Sequence, residues 1–237
     1  MRHRALLAAG AAAWTPASLS PAMWLDASDA TTVTLDGSSK VSAWADKSGN
    51  GRGMSQGTAA NRPTYADTRN GLSVVTCAAS VAQWMTGTTW GPSTSAITIA
   101  AVIQNYNSAN ARVAFSLGSN NHIGVTVRGD STGSVGALLG GVAWLTTSTA
   151  STTNWSQLIV RRTGGTNTVR LNAADLTVTG GGSSTPGAAS GSMWIGGDST
   201  AKGYWRIAEI VVVNGSALTG GDLTSLESYL NQKWAVY

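Results

Sequence analysis

Gln157-Leu158-Ile159-Val160-Arg161-Arg162-Thr163-Gly164-Gly165-Thr166-Asn167-Thr168-Val169-Arg170-Leu171-Asn172 is the stretch that decides the architecture. Two β-branched, apolar runs, Leu158-Ile159-Val160 and Thr168-Val169-Arg170-Leu171, flank Gly164-Gly165-Thr166-Asn167, whose residues tolerate positive φ. That combination predicts a β-hairpin. In an extended strand the adjacent Arg161 and Arg162 take opposite faces, so one is expected to point into solvent and the other to cross the sheet.

Working outward, the same grammar of short apolar runs separated by Gly, Asn, Asp, Ser and Thr repeats along most of the chain. The strand candidates are 33–35, 41–44, 72–76, 97–104, 112–117, 123–127, 157–162, 168–172, 193–195 and 206–213. Many short strands at such spacing predict an all-β antiparallel sandwich. Only 11% of the 237 residues are charged and 29 are glycine, which excludes an all-α or coiled-coil chain. One helix is predicted at the end, where Leu223, Leu226, Leu230 and Trp234 recur at helical intervals and Thr219 with Asp222 offers a capping pair. No composition shift or fixed repeat divides residues 15–237, which we read as one domain; the Gly180 to Gly187 run is read as a long surface loop.

The N-terminus, Met1-Arg2-His3-Arg4 followed by Ala5 to Ala13, imitates a secretory signal. We read residues 1–14 instead as an arm docked on its own domain or on a neighbour. The single Cys77 makes no internal disulfide and rules out a four-thiolate zinc site. No run of about 18 apolar residues exists to insert in a bilayer. The net charge of +4 comes from scattered Lys and Arg rather than a basic block, so nucleic acid is not an expected partner.

Three blocks near the start carry a resemblance: Ser18 to Asp29 (with Met23-Trp24-Leu25-Asp26), Val41-Ser42-Ala43-Trp44-Ala45-Asp46-Lys47-Ser48-Gly49-Asn50-Gly51, and Asn61-Arg62-Pro63-Thr64-Tyr65. Near the end, Arg206 to Asn214, Ala217-Leu218-Thr219 and Glu227 to Trp234 add to it. Together they resemble concanavalin A-like (laminin G-like) jelly-roll modules, of the kind frequent in bacteriophage and prophage structural genes. The resemblance implies a β-sandwich of two antiparallel sheets with a short C-terminal helix, and it spans nearly the whole chain from Trp14. It further implies a virion protein, displayed as capsid or tail decoration, whose partners are other virion proteins, copies of itself and host surface polysaccharide. Secreted bacterial carbohydrate-binding or adhesion modules, located extracellularly, are the alternative, and they would require removal of residues 1–13. A glycoside hydrolase is a further alternative.

Ten tryptophans against one phenylalanine suggest indole rings filling much of the space between two sheets. Trp84, Trp90, Trp144 and Trp155, near Gly, Ser, Thr and Asn, are the candidates for sugar-stacking surfaces. Trp84 with Met85 also occupies what resembles a family strand position. Asp26 and Asp46 each follow a tryptophan by two residues. Two readings stand for Asp26, Asp29 and Asp46: turn caps, with Asp46 accepting backbone amides from 48–50, or ligands of calcium, which related modules sometimes bind.

No enzyme is expected. The two glutamates, Glu209 and Glu227, fall on a strand and the helix and not in the alternate-strand pattern that places a retaining pair about 5 Å apart. His3 and His122 are the only histidines, and the Gly136 to Gly141 run, which lacks a Lys-Ser/Thr ending, reads as a turn or strand junction rather than a phosphate loop.

Overall fold

The computed structural model describes residues 13–107, 113–118, 123–127, 135–139, 143–147, 153–181, 188–197 and 202–237. The 1–12 part of the expected arm, both histidines and the 182–187 part of the expected loop lie outside the described residues.

Strands run in the order β1 (Met23–Asp26), β2 (Val33–Leu35), β3 (Val41–Trp44), β4 (Met54–Ser55), β5 (Thr68–Arg69), β6 (Leu72–Ser73), β7 (Val75–Cys77), β8 (Met85–Thr88), β9 (Ala96–Asn105) and β10 (Phe115–Ser116). They continue as β11 (Ile123–Val127), β12 (Val135–Leu139), β13 (Ala143–Thr147), β14 (Ser156–Thr163), β15 (Thr166–Leu171), β16 (Ala174–Leu176), β17 (Val178–Gly180), β18 (Ser192–Ile195) and β19 (Trp205–Asn214). Helix α1 (Gly220–Trp234) follows.

All of the pairing is antiparallel. One sheet has the order β1-β19-β9-β14-β15-β16, with β7 also on β19; the other runs β17-β13-β12-β11-β10-β18-β8-β4-β3-β2. The molecule is therefore a β-sandwich of two large sheets with a C-terminal helix, as expected from the sequence. The hairpin forms as β14–β15, with Gly164 and Gly165 at φ +54 and +112 as its turn. Thr166 and Asn167 belong to the ladder, pairing with Thr163 and Arg162, and not to the turn.

Alternation along the strands builds two cores. Met23, Leu25, Trp44, Met54, Met85, Ile97, Ile99, Ile103, Phe115, Met193, Ile195, Trp205, Ile210 and Val212 fill the space between the sheets. On the far side of the seven-stranded sheet, Trp24, Val102, Ile159, Val211 and Val213 receive Leu223, Leu226, Leu230 and Trp234 of α1. The inter-sheet layer is thus mainly aliphatic and thioether, with Trp44 and Trp205 its fully buried indoles. Long central strands such as β9 and β19 supply β-branched side chains on both faces, and these leave room for few rings.

Two local expectations change. Thr219 precedes α1 but its side chain caps nothing, and Asp222 instead places its charge in the first turn, where it favours the helix dipole. Neither arginine of the 161–162 pair is free in solvent: Arg162 is buried facing inward, donating to Thr94 O and Asn167 Oδ1, while Arg161 reaches Leu218 O at 2.9 Å.

A β-bulge in β19 sets up the helix contact. Trp205 and Ile207 face the inter-sheet core, the register with β9 shifts between Ile207 and Glu209, and beyond it Ile210 and Val212 face that core. The extra residue, Ala208, switches parity and turns Glu209 toward α1.

Candidate functional site

Register defines one long row across the open face of the ten-stranded sheet. Thr34 pairs with Ala43, Ala43 with Ser55, Ser55 with Thr86, Thr86 with Trp194 and Trp194 with Ser116. The row continues through Gly124 and Leu138 to Trp144. Neighbours one residue along each strand, Met54, Met85, Ile195 and Phe115, enter the core, so Ser55, Thr86, Trp194 and Ser116 belong to the opposite face, where Ser116 is itself buried. Four of the row's nine residues, Thr34, Ser55, Thr86 and Ser116, carry hydroxyls.

Trp84 stands two residues before Thr86 and so on the same face. Its carbonyl accepts from Gln56 Nε2 at 3.1 Å and its amide donates to Asn61 O at 3.2 Å, which fixes the backbone ahead of β8. The Trp84 and Trp194 rings lie 6.4 Å apart between centroids at 31°. Lys202 Nζ sits 4.6 Å from one ring and 4.4 Å from the other, a distance at which the indole quadrupoles attract the ammonium. Both tryptophans are half-buried. The sequence alone does not single out Trp194, although buried Met193 and Ile195 on either side leave only the opposite face for it. Nothing in the sequence marks Lys202.

The four tryptophans singled out from the sequence do not converge. Trp84 lies on this face. Trp90, beyond the far end of β8, packs against the inter-sheet core with Arg52 Cζ 3.7 Å over its ring. Trp144 has its backbone in the same row, but its side chain lies outside the described residues. Trp155 is on the opposite sheet, beside the helix-side core.

The aspartates also separate. Asp46 caps a turn: its oxygens accept from Ser48 N at 2.9 Å and Arg52 N at 3.0 Å, and across the chain from Trp24 N at 2.9 Å. Asp26 accepts from Lys47 at 2.9 Å, Lys233 at 2.7 Å and Ser28 Oγ at 2.7 Å, and Asp29 from Lys47 at 2.8 Å and Thr31 Oγ1 at 2.6 Å. Asp26 and Asp29 are thus engaged by lysine ammonium groups and Asp46 by the amides of its turn; among the described residues no cluster of three metal-ligating side chains forms. Burial works to raise the Asp26 carboxyl, but the charge of Lys233 and the donated hydrogen bonds outweigh it and hold it below the usual range. Asp29 is lowered to about 2, chiefly by the hydrogen bond from Lys47.

Both glutamates are consumed in packing far from this face. Glu209 is fully buried and accepts from Trp24 Nε1 and Trp234 Nε1 at 2.7 Å each, Lys233 Nζ at 2.8 Å and Tyr229 OH at 3.1 Å. Glu227 accepts from Arg170 Nε at 2.6 Å. What the Trp84–Trp194 face presents is aromatic surface bordered by hydroxyls and one cation, a chemistry of adhesion to the apolar faces of sugar rings.

No protein-family model matches the sequence, and no curated protein matches it. Solved structures do. The binding domain of Paraclostridial Mosquitocidal Protein 1 superposes with a TM-score of 0.63 at 12% identity over 91% of this chain and 53% of that one. The receptor binding domain of botulinum neurotoxin D gives 0.60 at 12% over 90% and 53%. Trypanosoma rangeli sialidase in complex with the inhibitor DANA gives 0.58 at 12% over 89% and 33%. This chain thus spans about half of each toxin chain and a third of the sialidase chain. Enzymes and binding domains both carry the sandwich, and likeness at this identity concerns the fold.

Proposed function

We propose that the chain is a concanavalin A-like saccharide-binding module that attaches through the Trp84–Trp194 face and performs no chemistry on what it holds. The observation that carries this reading is the indole pair on an outward sheet face lined by Ser55 and Thr86. The binding domains among the structural neighbours support it. The locked state of Glu209 and Glu227 favours adhesion over hydrolysis. The resemblance of the sequence to phage and prophage modules extends the proposal to a setting: display on a virion, as capsid or tail decoration, touching neighbouring virion proteins and copies of itself. Repeated weak contacts would there sum to useful avidity. The extracellular bacterial adhesion module is the second reading and uses the same face.

The test is titration of the protein with bacterial surface polysaccharides, read by tryptophan fluorescence. Trp84→Ala and Trp194→Ala should each weaken binding by roughly 2- to 10-fold, the worth of one aromatic contact. Wild-type binding by both variants, or release of reducing ends from the polymer, would overturn it.

A further inference from the structure

A cavity of about 300 Å³ opens on the seven-stranded sheet and is bordered by Arg69, Gln104, Asn154, Trp155, Asn172 and Val236. On β9 the residues Ile97, Ile99 and Ile103 face the inter-sheet core, so Gln104 faces the opposite way, and Trp155 packs at the edge of the helix-side core. This cavity and the Trp84–Trp194 face are therefore on opposite sides of the sandwich.

Its polar groups have an uneven balance. Gln104 is fully engaged, donating to Thr153 O at 2.8 Å and accepting from Arg206 at 3.1 Å. Asn172 clamps the main chain of Gln157 with its amide (2.9 Å to Gln157 O) and with Oδ1 (2.9 Å from Gln157 N), leaving Nδ2 as a fixed donor. Arg69 donates from Nε to Trp234 O at 2.8 Å and from Nη2 to Ala235 O, leaving Nη1, and no carboxylate pairs with it. Its guanidinium lies 6.0 Å from the Trp155 ring, whose Nε1 donates to no protein group. No Asp or Glu lines the cavity. What Arg69, Asn172 and Trp155 leave open is thus a set of donors beside one cation and one indole face.

We infer that this cavity is a second ligand site that takes an acidic sugar residue, its carboxylate received by Arg69 and Asn172 and its ring laid on Trp155. A charge-assisted pair to the guanidinium and a donor amide select an anion over a neutral hydroxyl, and the indole selects a ring over a bare ion. The walls are pre-set: Asn172 at φ +50 is held on both sides by Gln157, and the C-terminal tail is held by Arg69 and by Asn231 Oδ1, which accepts from Val236 N and Tyr237 N.

The experiment is calorimetric titration with N-acetylneuraminic acid, glucuronic acid, N-acetylglucosamine and inorganic sulfate. The acidic sugars should bind at least tenfold more tightly than the neutral sugar and sulfate. Asn172→Asp keeps the acceptor for Gln157 N but adds a negative charge, and should lower acidic-sugar affinity at least tenfold. Trp155→Ala should weaken it several-fold, while Trp84→Ala should leave it unchanged, which separates this site from the face proposed above. No preference for the acidic sugars, sulfate binding as tightly as they do, or parental affinity in Asn172→Asp would each overturn the inference. Thermal unfolding of each variant confirms that a lost signal is not a lost fold.

Discussion

Asp26 and Glu209 stand directly opposite each other in the β1–β19 ladder, two buried acids in a cross-strand position where like charges repel. Lys233 of α1 resolves the conflict, its Nζ lying 2.7 Å from Asp26 Oδ1 and 2.8 Å from Glu209 Oε2. The helix is therefore fastened to the sheet by charge as well as by the packing of Leu223, Leu226, Leu230 and Trp234.

Lys233→Met should be strongly destabilising. It keeps much of the side-chain volume but leaves Asp26 with one ammonium, Lys47, beside Ser28, and Glu209 with neutral donors only. Removing one partner of a buried ion pair costs about 3–5 kcal/mol. The urea midpoint reads it, and a shift equivalent to less than about 1 kcal/mol would show that the lysine is not holding the two acids.

The same cluster predicts an unusual pH profile. Asp26 is held below its ordinary value of 3.8, so the folded state binds fewer protons than the unfolded one there, and stability falls as pH drops through the window beneath 3.8. Burial raises Glu209 above 4.5, helped by the facing Asp26, against the pull of Lys233 and Trp234. Its folded state binds more protons, so its contribution declines as pH rises above 4.5. The two together place the cluster's own optimum between these windows. Glu209→Gln should remove the decline above 4.5 and leave the acid-side loss, and Asp26→Asn should do the reverse, both measured as unfolding free energy against pH.

Gly87→Ala probes the close approach behind the proposed binding face. A Cβ there would lie 2.6 Å from Gly53 O and 2.8 Å from both Met193 Cε and Met54 Sδ. Flexible thioethers move aside, but the carbonyl is main chain of the neighbouring segment. The expected cost is about 1–3 kcal/mol, whereas Gly57→Ala, which meets nothing within 4 Å, should be near neutral. Equal thermal midpoints for the two variants would contradict the tight packing.

Where one strand's own alternation decides, the sequence can be read directly: 41–44 and 123–127 were expected with the boundaries that β3 and β11 have, and the 158–171 hairpin is set by its turn glycines. Legibility fails where a partner decides. The Ala208 bulge leaves no mark in Arg206 to Asn214, yet it alone turns Glu209 from the inter-sheet core to the helix. The lysines that pair with Asp26 and Asp29 lie 18 to 207 residues away in the chain, so nothing beside either aspartate in sequence announces them. Trp194 became visible as a partner of Trp84 only through the β8–β18 register.

Cys77 should be inert in the native state and should report on unfolding. It is fully buried in the inter-sheet core on β7, and burial pushes its thiol up to about 12. Gly196 crosses it so closely that a Cβ at that position would lie 2.6 Å from Sγ, and Tyr106 OH donates to its carbonyl at 3.0 Å. A thiol reagent needs both access and thiolate, and the folded chain offers neither. Labelling in native buffer should then proceed only through opening of β7 from β19, and its rate should climb with urea in parallel with the loss of tryptophan fluorescence. Rapid stoichiometric labelling without denaturant would mean that this part of the sandwich opens independently of the rest.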